Sequence, residues 1–136
     1  MSAQKKHNSQ NKKKKSLTIC DVHIHMTFNN IIASVTDTSG DVVVWSSAGK
    51  MGFKGSRRST PFAAKVTVQD VMNAAKELHM RSVRTIFIKG ICNARDSAIR
   101  EVCNMTLSTN MPPIEMIKDV TPVPHNGTKP PKKRRA

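Results

Sequence analysis

The sequence has few cysteines, no long apolar run and no acidic residue near either end. Its three cysteines, Cys20, Cys92 and Cys103, are far apart, and no pair has the CxxC spacing of a zinc site. An odd number of cysteines also argues against a secreted disulfide framework, so we expect reduced thiols. No apolar run approaches the roughly 18 residues of a membrane span. The N-terminus lacks the apolar core of a secretory signal, so we expect synthesis in the compartment where the protein works and no membrane partner.

Catalytic and nucleotide-binding motifs are missing as well. No GxxxxGK[ST] string predicts a phosphate-binding loop. His23 and His25 share a predicted strand face with Asp21, but a metal would need further ligands at suitable spacing, which favours polar residues facing solvent or RNA. Two-metal nucleases need converging carboxylates, and residues 42–69 contain no acid. We therefore expect a protein that is not an enzyme, with no metal, no cofactor and no small-molecule substrate.

The positive charge is large and uneven. The net charge is +14, and residues 1–16 carry six lysines while residues 122–136 carry five basic residues, both without an acid. Between these ends, 12 basic residues face nine acidic ones. The ends therefore supply the basicity, which favours an RNA or DNA partner bound with a strong salt dependence. The alternative is that the charge runs are solvated and serve solubility alone.

The C-terminal stretch, residues 119–136, is the most informative segment. Four prolines and a glycine disfavour helix and inner strand, because proline lacks an amide donor and fixes φ. Five cations follow within residues 129–135: Lys129, Lys132, Lys133, Arg134 and Arg135. A self-repelling cationic strip cannot enter a core. We predict that residues 122–136 form an extended RNA-binding tail and that residues 1–16 form a disordered basic extension.

Alternation of apolar and polar residues predicts three strands in the first half of the chain. From Ile19 the pattern has period two, which is typical of a strand with one buried face. Asn29 and Asn30 predict a tight turn, because asparagine tolerates positive φ. Residues 31–37 and the β-branched residues 42–47 predict two more strands, separated by a turn at residues 38–41. The three strands predict an antiparallel meander.

Two helices and two strands are predicted in the second half. Thr60 is predicted as an N-cap with Pro61 at the first helical position. The buried face of this helix is predicted to be Ala64, Val68, Val71, Met72, Ala75 and Leu78. Residues 83–89 predict a fourth strand and residues 114–121 a fifth. Between them a helix opens at Asn93 or Arg95, ends at residues 111–113, and carries Ala98, Ile99, Val102, Cys103 and Thr106 on one side. The order βββαβαβ predicts an α/β domain over residues 17–121, with a mixed five-stranded sheet flanked by helices.

Residues 49–58 combine three glycines with four cations. Glycine lets the backbone approach phosphates closely, and interleaved cations neutralise them. The segment leads into the predicted helix at Pro61, whose free amides also favour an anion. Phe53 either stacks on a base or anchors the loop to the core. A nucleotide-binding site is a further alternative.

Several strings together resemble a known family. They are HIH at 23–25, FNN at 28–30, WSSAG at 45–49, GFKGSRR at 52–58, STPFAA at 59–64, DVTPVPHNG at 119–127 and PPKKRR at 130–135. Over residues 18–136 the chain resembles the eleventh protein of the small ribosomal subunit in its bacterial or organellar form. The resemblance implies a ribonuclease-H-like three-layer α/β/α fold. It also implies a structural role on the subunit platform, where such a protein bridges small-subunit rRNA helices and helps shape the cleft for mRNA leader pairing. The implied protein neighbours are the seventh and eighteenth small-subunit proteins.

The resemblance also implies where rRNA binds. The predicted contacts, with Arg95 added beside the altered turn, are Asn29, Asn30, Lys50, Phe53, Lys54, Gly55, Ser56, Arg57, Arg58, Arg95, His125, Asn126, Gly127, Lys129, Lys132, Lys133, Arg134 and Arg135. Residues 91–94 replace a glycine- and proline-rich turn of the family, Thr128-Lys129 replaces Cys-Arg, and residues 104–113 also differ. This drift and the WSSAG string favour a plastid ribosome, with the bacterial cytoplasm as the alternative. A rival function is a nuclear or nucleoid DNA-binding protein, because PKKRR also resembles a nuclear-import signal.

Overall fold

Five strands and two helices follow one another in the order that the sequence predicts. The computed structural model describes residues 18–136, and the predicted extension at residues 1–16 lies outside the described residues. The elements are β1 (Ile19–Met26), β2 (Ile31–Asp37), β3 (Val42–Ser47), a 3-10 helix (Gly55–Ser59), α1 (Pro61–Glu77), β4 (Ser82–Lys89), α2 (Arg95–Ser108) and β5 (Met116–Asp119). The strands form one sheet in the order β3-β2-β1-β4-β5. The prediction of a mixed five-stranded α/β sheet is confirmed, since β1 pairs antiparallel to β2 and parallel to β4.

The meander turns close by side-chain hydrogen bonds. Met26 pairs with Ile31, so the first turn spans residues 27–30. The Thr27 hydroxyl accepts a hydrogen bond from the Asn30 amide at 3.0 Å, and Asn30 Oδ1 accepts one from the Ile31 amide at 2.9 Å. Neither Asn29 nor Asn30 has a positive φ. The predicted turn is therefore present, but the reason given for it was wrong, because these side chains satisfy the backbone without left-handed geometry.

Helix α1 begins as its sequence predicts. Thr60 has an extended backbone, and its side chain accepts a hydrogen bond from the Ala63 amide at 3.2 Å. The predicted inward face is confirmed: five of its members are buried and Leu78 packs partly against the core. This face packs against β2 and β3, and the buried residues Val22, Ile24 and Val35 of β1 and β2 belong to the same core. The alternating strand pattern and the helical period therefore meet in one core.

The two helices pack against each other, which places both on the same face of the sheet. Residues 18–136 therefore form a helical layer on one face of the sheet, and the second helical layer of the α/β/α arrangement is not among them. Gln69 of α1 donates a hydrogen bond to Glu101 of α2 at 2.7 Å, and Lys65 lies 3.9 Å from the same carboxylate. Sequence reasoning missed the burial of Glu101. The connections from β3 to β4 and from β4 to β5 run in the same direction across the sheet. If both are right-handed, as such connections usually are, α1 and α2 must lie on the same face. No helix among residues 18–136 is long and apolar enough to span a membrane.

The structure adjusts some predicted boundaries. Strand β5 has four residues instead of the eight predicted, although the amides of Glu115 and Val120 on either side of it still donate to carbonyl groups of β4. Helix α2 begins at Arg95, one of its two predicted starts, and ends at Ser108, before the predicted end at residues 111–113. The 3-10 helix at Gly55–Ser59 was not predicted, since it buries no residue and thus has no apolar periodicity.

Gly90 is a close-packed glycine that offers a stability test. It has φ +113° at the end of β4, and a Cβ atom there would lie 1.8 Å from the Met26 carbonyl oxygen. Gly40 has a similar φ of +93° but no atom within 4 Å of an added Cβ. We expect Gly40→Ala to lower the free energy of unfolding by about 1 kcal/mol through backbone strain alone. Gly90→Ala should lower it by about 3 kcal/mol or more, because the ends of β1 and β4 must separate. Chemical denaturation measures both, and equal losses would contradict the packing argument.

Candidate nucleic-acid interface

The segment between β3 and α1 presents cations on an exposed loop. We call residues 49–58 the basic loop. Lys54 and Arg57 are exposed, and neither forms an ion pair with any acid among residues 18–136. The 3-10 helix places Arg57 and Arg58 side by side just before α1, with Arg58 half-buried and its Nε donating to the Gly55 carbonyl at 3.4 Å. Free cations beside an open backbone suit phosphate groups.

Lys50 differs from the other loop cations because it is engaged within the protein. Its Nζ lies 3.8 Å from an Asp70 carboxylate oxygen and 5.5 Å from the centre of the Trp45 ring. It also donates to the Trp45 carbonyl at 3.4 Å. Its predicted contact with rRNA would compete with these interactions. Lys54 and Arg57 are therefore the more available charges of the basic loop.

Phe53 packs inward at the base of the basic loop. The ring is half-buried against the core and meets Phe62 edge to face, with centroids 5.9 Å apart and planes at 80°. This arrangement favours the anchoring role over the stacking role. A cavity of about 430 Å³ lies above it, lined by Phe53, Lys54, Arg57 and two neighbours. Such a cavity brings two free cations and an aromatic edge together.

The chain after β5 is an exposed strip. Residues 120–136 contain no helix or strand, and Thr121 alone among them is half-buried. We call residues 122–136 the tail. Its five cations are all exposed and form no ion pair with the acids of the described residues. Asn126 and Gly127 both have positive φ, so the backbone turns just before the cationic run. The predicted contacts His125, Asn126 and Gly127 lie at this turn.

A hydrogen-bonded network holds the point where the tail begins. The Thr121 hydroxyl and amide donate to one Asp119 carboxylate oxygen at 2.6 and 2.9 Å, and Arg95 donates to the other at 2.8 Å. The Thr121 hydroxyl and then the Arg95 guanidinium hold the pKa of Asp119 well below its usual range. Thr121 also accepts from the Gly90 amide at 3.1 Å. The start of the tail is thus tied to the end of β4.

Arg95 has an intramolecular role that sequence reasoning did not anticipate. Besides the ion pair with Asp119, its guanidinium donates to the Gly90 carbonyl at 3.2 Å. Its side chain is 30% exposed. The predicted rRNA contact at Arg95 therefore stays a prediction, and its donors already brace the altered turn at residues 91–94.

The sheet face opposite the helices carries the paired histidine motif. His23 stacks on Phe87 with ring centroids 4.7 Å apart, and its Nε2 lies 3.2 Å from the Thr36 hydroxyl. Burial lowers the pKa of His23, although the neighbouring Asp21 carboxylate opposes the shift. Asp21 itself accepts two hydrogen bonds from Arg84, at 3.1 and 2.5 Å. In the described part of the chain, no group of three or more histidines, cysteines and acids is placed to hold a metal.

The described cysteines are free thiols. Cys20 is fully buried, and its sulfur lies 3.0 Å from the sulfur of Met80. Burial, with a smaller contribution from Asp21, raises the pKa of the Cys20 thiol to about 12. The thiol therefore stays protonated and serves as a small apolar residue of the core.

The structure also exposes apolar side chains that the sequence analysis did not single out. Phe28 is 79% exposed and Ile91 is 70% exposed, and both lie near the predicted Asn29–Asn30 contact. Trp45 and Phe62 lie exposed on either side of the basic loop. For Phe28 the available signal was its position beside the predicted Asn29–Asn30 turn, since a loop aromatic in a basic protein is a candidate for base stacking.

The sheet order sets the distance between the two basic regions. The basic loop follows β3 at one edge of the sheet, and the tail follows β5 at the other edge. Four strand spacings separate these edges, which is about 19 Å at the usual spacing of a sheet. In contrast, the turn at residues 27–30 and the start of the tail meet in one cavity lined by Thr27, Phe28, Thr121 and Pro122.

Comparison with known proteins gives a consistent result. A sequence model described as Ribosomal protein S11 matches residues 20–135. The chain is 49% identical over 115 residues to "Small ribosomal subunit protein uS11" of Christiangramia forsetii, covering 85% of this chain and 82% of that protein. It is 48% identical to the uS11 of Flavobacterium psychrophilum, covering 87% of this chain and 88% of that protein. For Aquifex aeolicus uS11 the identity is 46%, with 91% and 94% covered.

Proposed function

Because the chain belongs to the ribosomal protein S11 family, we propose that it is a structural, non-enzymatic protein of the small ribosomal subunit that binds small-subunit rRNA. The observation that carries this proposal is the set of exposed cations without ion pairs in the basic loop and the tail. Exposed Lys and Arg side chains without an acidic partner are available to neutralise phosphate groups. Residues 17–121 then serve as a packed body, with residues 1–16 and 122–136 as basic extensions.

The placement of the basic regions supports a bridging role. The basic loop and the tail lie at opposite edges of a rigid sheet, so one molecule can contact two separated RNA segments. If each edge of the sheet held one RNA helix, the two helices would be kept apart by about the width of the sheet. We propose that this is how the protein joins rRNA helices during folding of the subunit.

The finer location follows from the family resemblance. We propose a position on the platform, beside the seventh and eighteenth small-subunit proteins and near the cleft where the mRNA leader pairs. The WSSAG string favours a plastid ribosome. The bacterial relatives favour the alternative, a ribosome in the bacterial cytoplasm, and we adopt that alternative.

Sedimentation in a sucrose gradient tests the proposed function. The full chain, expressed with an affinity tag in cells of its source, should travel with small-subunit particles and remain with them after nuclease digestion of DNA. A rival DNA-binding protein would instead leave these fractions and sediment with chromatin or nucleoid material. Recovery of the tagged chain only with DNA would overturn the ribosomal assignment.

The tail should be needed for binding and not for folding. Deletion of residues 129–136 removes exposed side chains that form no ion pair with the described acids, so the midpoint of thermal unfolding should stay within a degree or two. Affinity for small-subunit rRNA should fall at least about tenfold, because five phosphate-neutralising cations are lost. Replacement of the same five cations by glutamine is the matched control for chain length. A deletion that unfolds the body while rRNA binding persists would contradict the division into body and tail.

A further inference from the structure

A cavity lies where β1 and β4 end and the tail begins. Its volume is about 300 Å³, and its lining includes His25, Phe28, Lys89, Ile91 and Pro122. We call it the strand-end pocket. None of these five residues is among the individually predicted rRNA contacts, although Pro122 is the first residue of the tail.

Two features of the strand-end pocket are costly for a protein in water. Phe28 and Ile91 line it with 79% and 70% of their surfaces exposed. The Nδ1 atom of His25 is buried and has no hydrogen-bond partner among the described residues. A buried polar atom without a partner destabilises the folded state, and exposed large apolar side chains at a concave site mark a binding surface. Both features indicate an occupant with an apolar face and a polar edge.

We propose that the strand-end pocket takes an unpaired nucleobase of the small-subunit rRNA. A nucleobase has the required chemistry: its face stacks on an aromatic ring such as Phe28, and its edge carries donors and acceptors that can pair with polar groups of the lining such as the His25 imidazole. Lys89 is an exposed cation in the lining, where it can neutralise the phosphate beside that base. This inference rests on the proposed function, because it names the part of the rRNA that this surface would recognise.

The position of the strand-end pocket also favours RNA. Thr27 and Phe28 of the first turn line it, and the chain leaves it through Pro122 into a tail with five cations and no acid. An RNA strand that runs from the turn to the tail would therefore cross the pocket in a region of positive electrostatic potential. An apolar peptide would make no use of Lys89 or of that potential.

The walls of the strand-end pocket are held in place by the fold. Gly90 lies so close to Met26 that no side chain fits between them, and its amide donates to Thr121. Arg95 then ties Gly90 to Asp119. These contacts hold the end of β1, the end of β4 and the start of the tail together before RNA binds. Binding therefore costs little conformational entropy.

Binding of the full chain to small-subunit rRNA tests this proposal, with Phe28→Ala as the main variant. We expect the affinity to fall about tenfold, because loss of one base–aromatic stack removes about 1.4 kcal/mol. The slope of log affinity against log salt should not change, since no charge is lost. Phe28→Tyr, which keeps the aromatic face, should bind like the unmodified chain. Leu107→Ala is the matched control, because Leu107 is similarly exposed but lies on α2 and lines neither the strand-end pocket nor the cavity of the basic loop.

A second variant and a crosslinking measurement complete the test. Lys89→Gln should reduce the salt slope by about 1, unlike Phe28→Ala. Ultraviolet crosslinking with mass spectrometry should join a nucleotide to Phe28 or to a neighbouring residue of the pocket. Thermal unfolding of each variant confirms folding, which the exposure of both side chains leads us to expect.

The outcomes separate this inference from the proposed function. If the unmodified chain fails to bind the rRNA, the proposed function fails. If it binds and Phe28→Ala binds equally well, the pocket does not hold a base. Equal rRNA binding combined with poor incorporation into subunits would also overturn the proposal, since it would assign the pocket to a protein neighbour.

Discussion

The affinity of the full chain for small-subunit rRNA should fall by about 10³-fold or more when monovalent salt rises from about 50 to about 200 mM, which corresponds to about six or more neutralised phosphates. The structure supplies seven exposed cations for this purpose without using residues 1–17: Lys54, Arg57 and the five cations of the tail. None of them is paired with an acid of the described residues, so each is free to displace a counterion from RNA. Filter binding or fluorescence anisotropy at several salt concentrations measures the slope.

Glutamine variants test which cations are responsible for the salt dependence. Replacing Lys54 and Arg57 together by glutamine should lower the magnitude of the slope by about 2, because each neutralised phosphate contributes about 0.9. Arg100→Gln removes an exposed charge from α2, away from the proposed interface, and should leave the slope unchanged. An affinity that barely changes over this salt range would contradict the electrostatic basis of binding. So would a slope that responds to Arg100 as strongly as to the loop cations.

The substitution Val71→Asp should abolish folding of the body. Val71 is 1% exposed on the inward face of α1, where Val68, Met72 and Ala75 also pack into the core. A carboxylate there has no basic partner, and burying an unpaired charge costs on the order of 5 kcal/mol, which is comparable with the whole stability of a small domain. We expect insoluble protein or a chain without a cooperative unfolding transition.

Asn73→Asp is the matched control for this substitution. Asn73 lies two residues further along the same helix and is exposed, so the same carboxylate should change the free energy of unfolding by no more than about 0.5 kcal/mol. Circular dichroism during heating distinguishes the two variants, with and without rRNA. A soluble Val71→Asp protein with a normal transition would show that α1 does not cover the core as described.

The β-meander and α1 were predictable because their signals are local. The flanking turns and, for β3, the β-branched residues placed β2 and β3 at their observed bounds, and Thr60 with Pro61 placed the start of α1. The 3-10 helix was not predictable, because its side chains all lie outside the core and leave no apolar pattern. The length of β5 was also missed, since pairing with β4 alone decides where that strand begins and ends.

The candidate interface was likewise predictable only in part. Charge runs identified the tail and the basic loop, because a strip of cations between glycines or prolines is visible in one dimension. The sequence did not show which of these cations are free to bind RNA. Lys50 is held by Asp70 and Trp45, and Arg95 is held by Asp119, through contacts between residues far apart in the chain.

Composition and short-range periodicity carry the α/β class and the concentration of positive charge at the ends, so both could be predicted from the chain alone. Only the folded protein shows which cations are free, which edges of the sheet the basic regions occupy, and that Phe28, His25 and Ile91 share one pocket. These properties depend on the parallel pairing of β1 with β4 and on the packing of Gly90 against Met26. Such long-range contacts are selected by burial of the whole core, and no short window of the sequence specifies them.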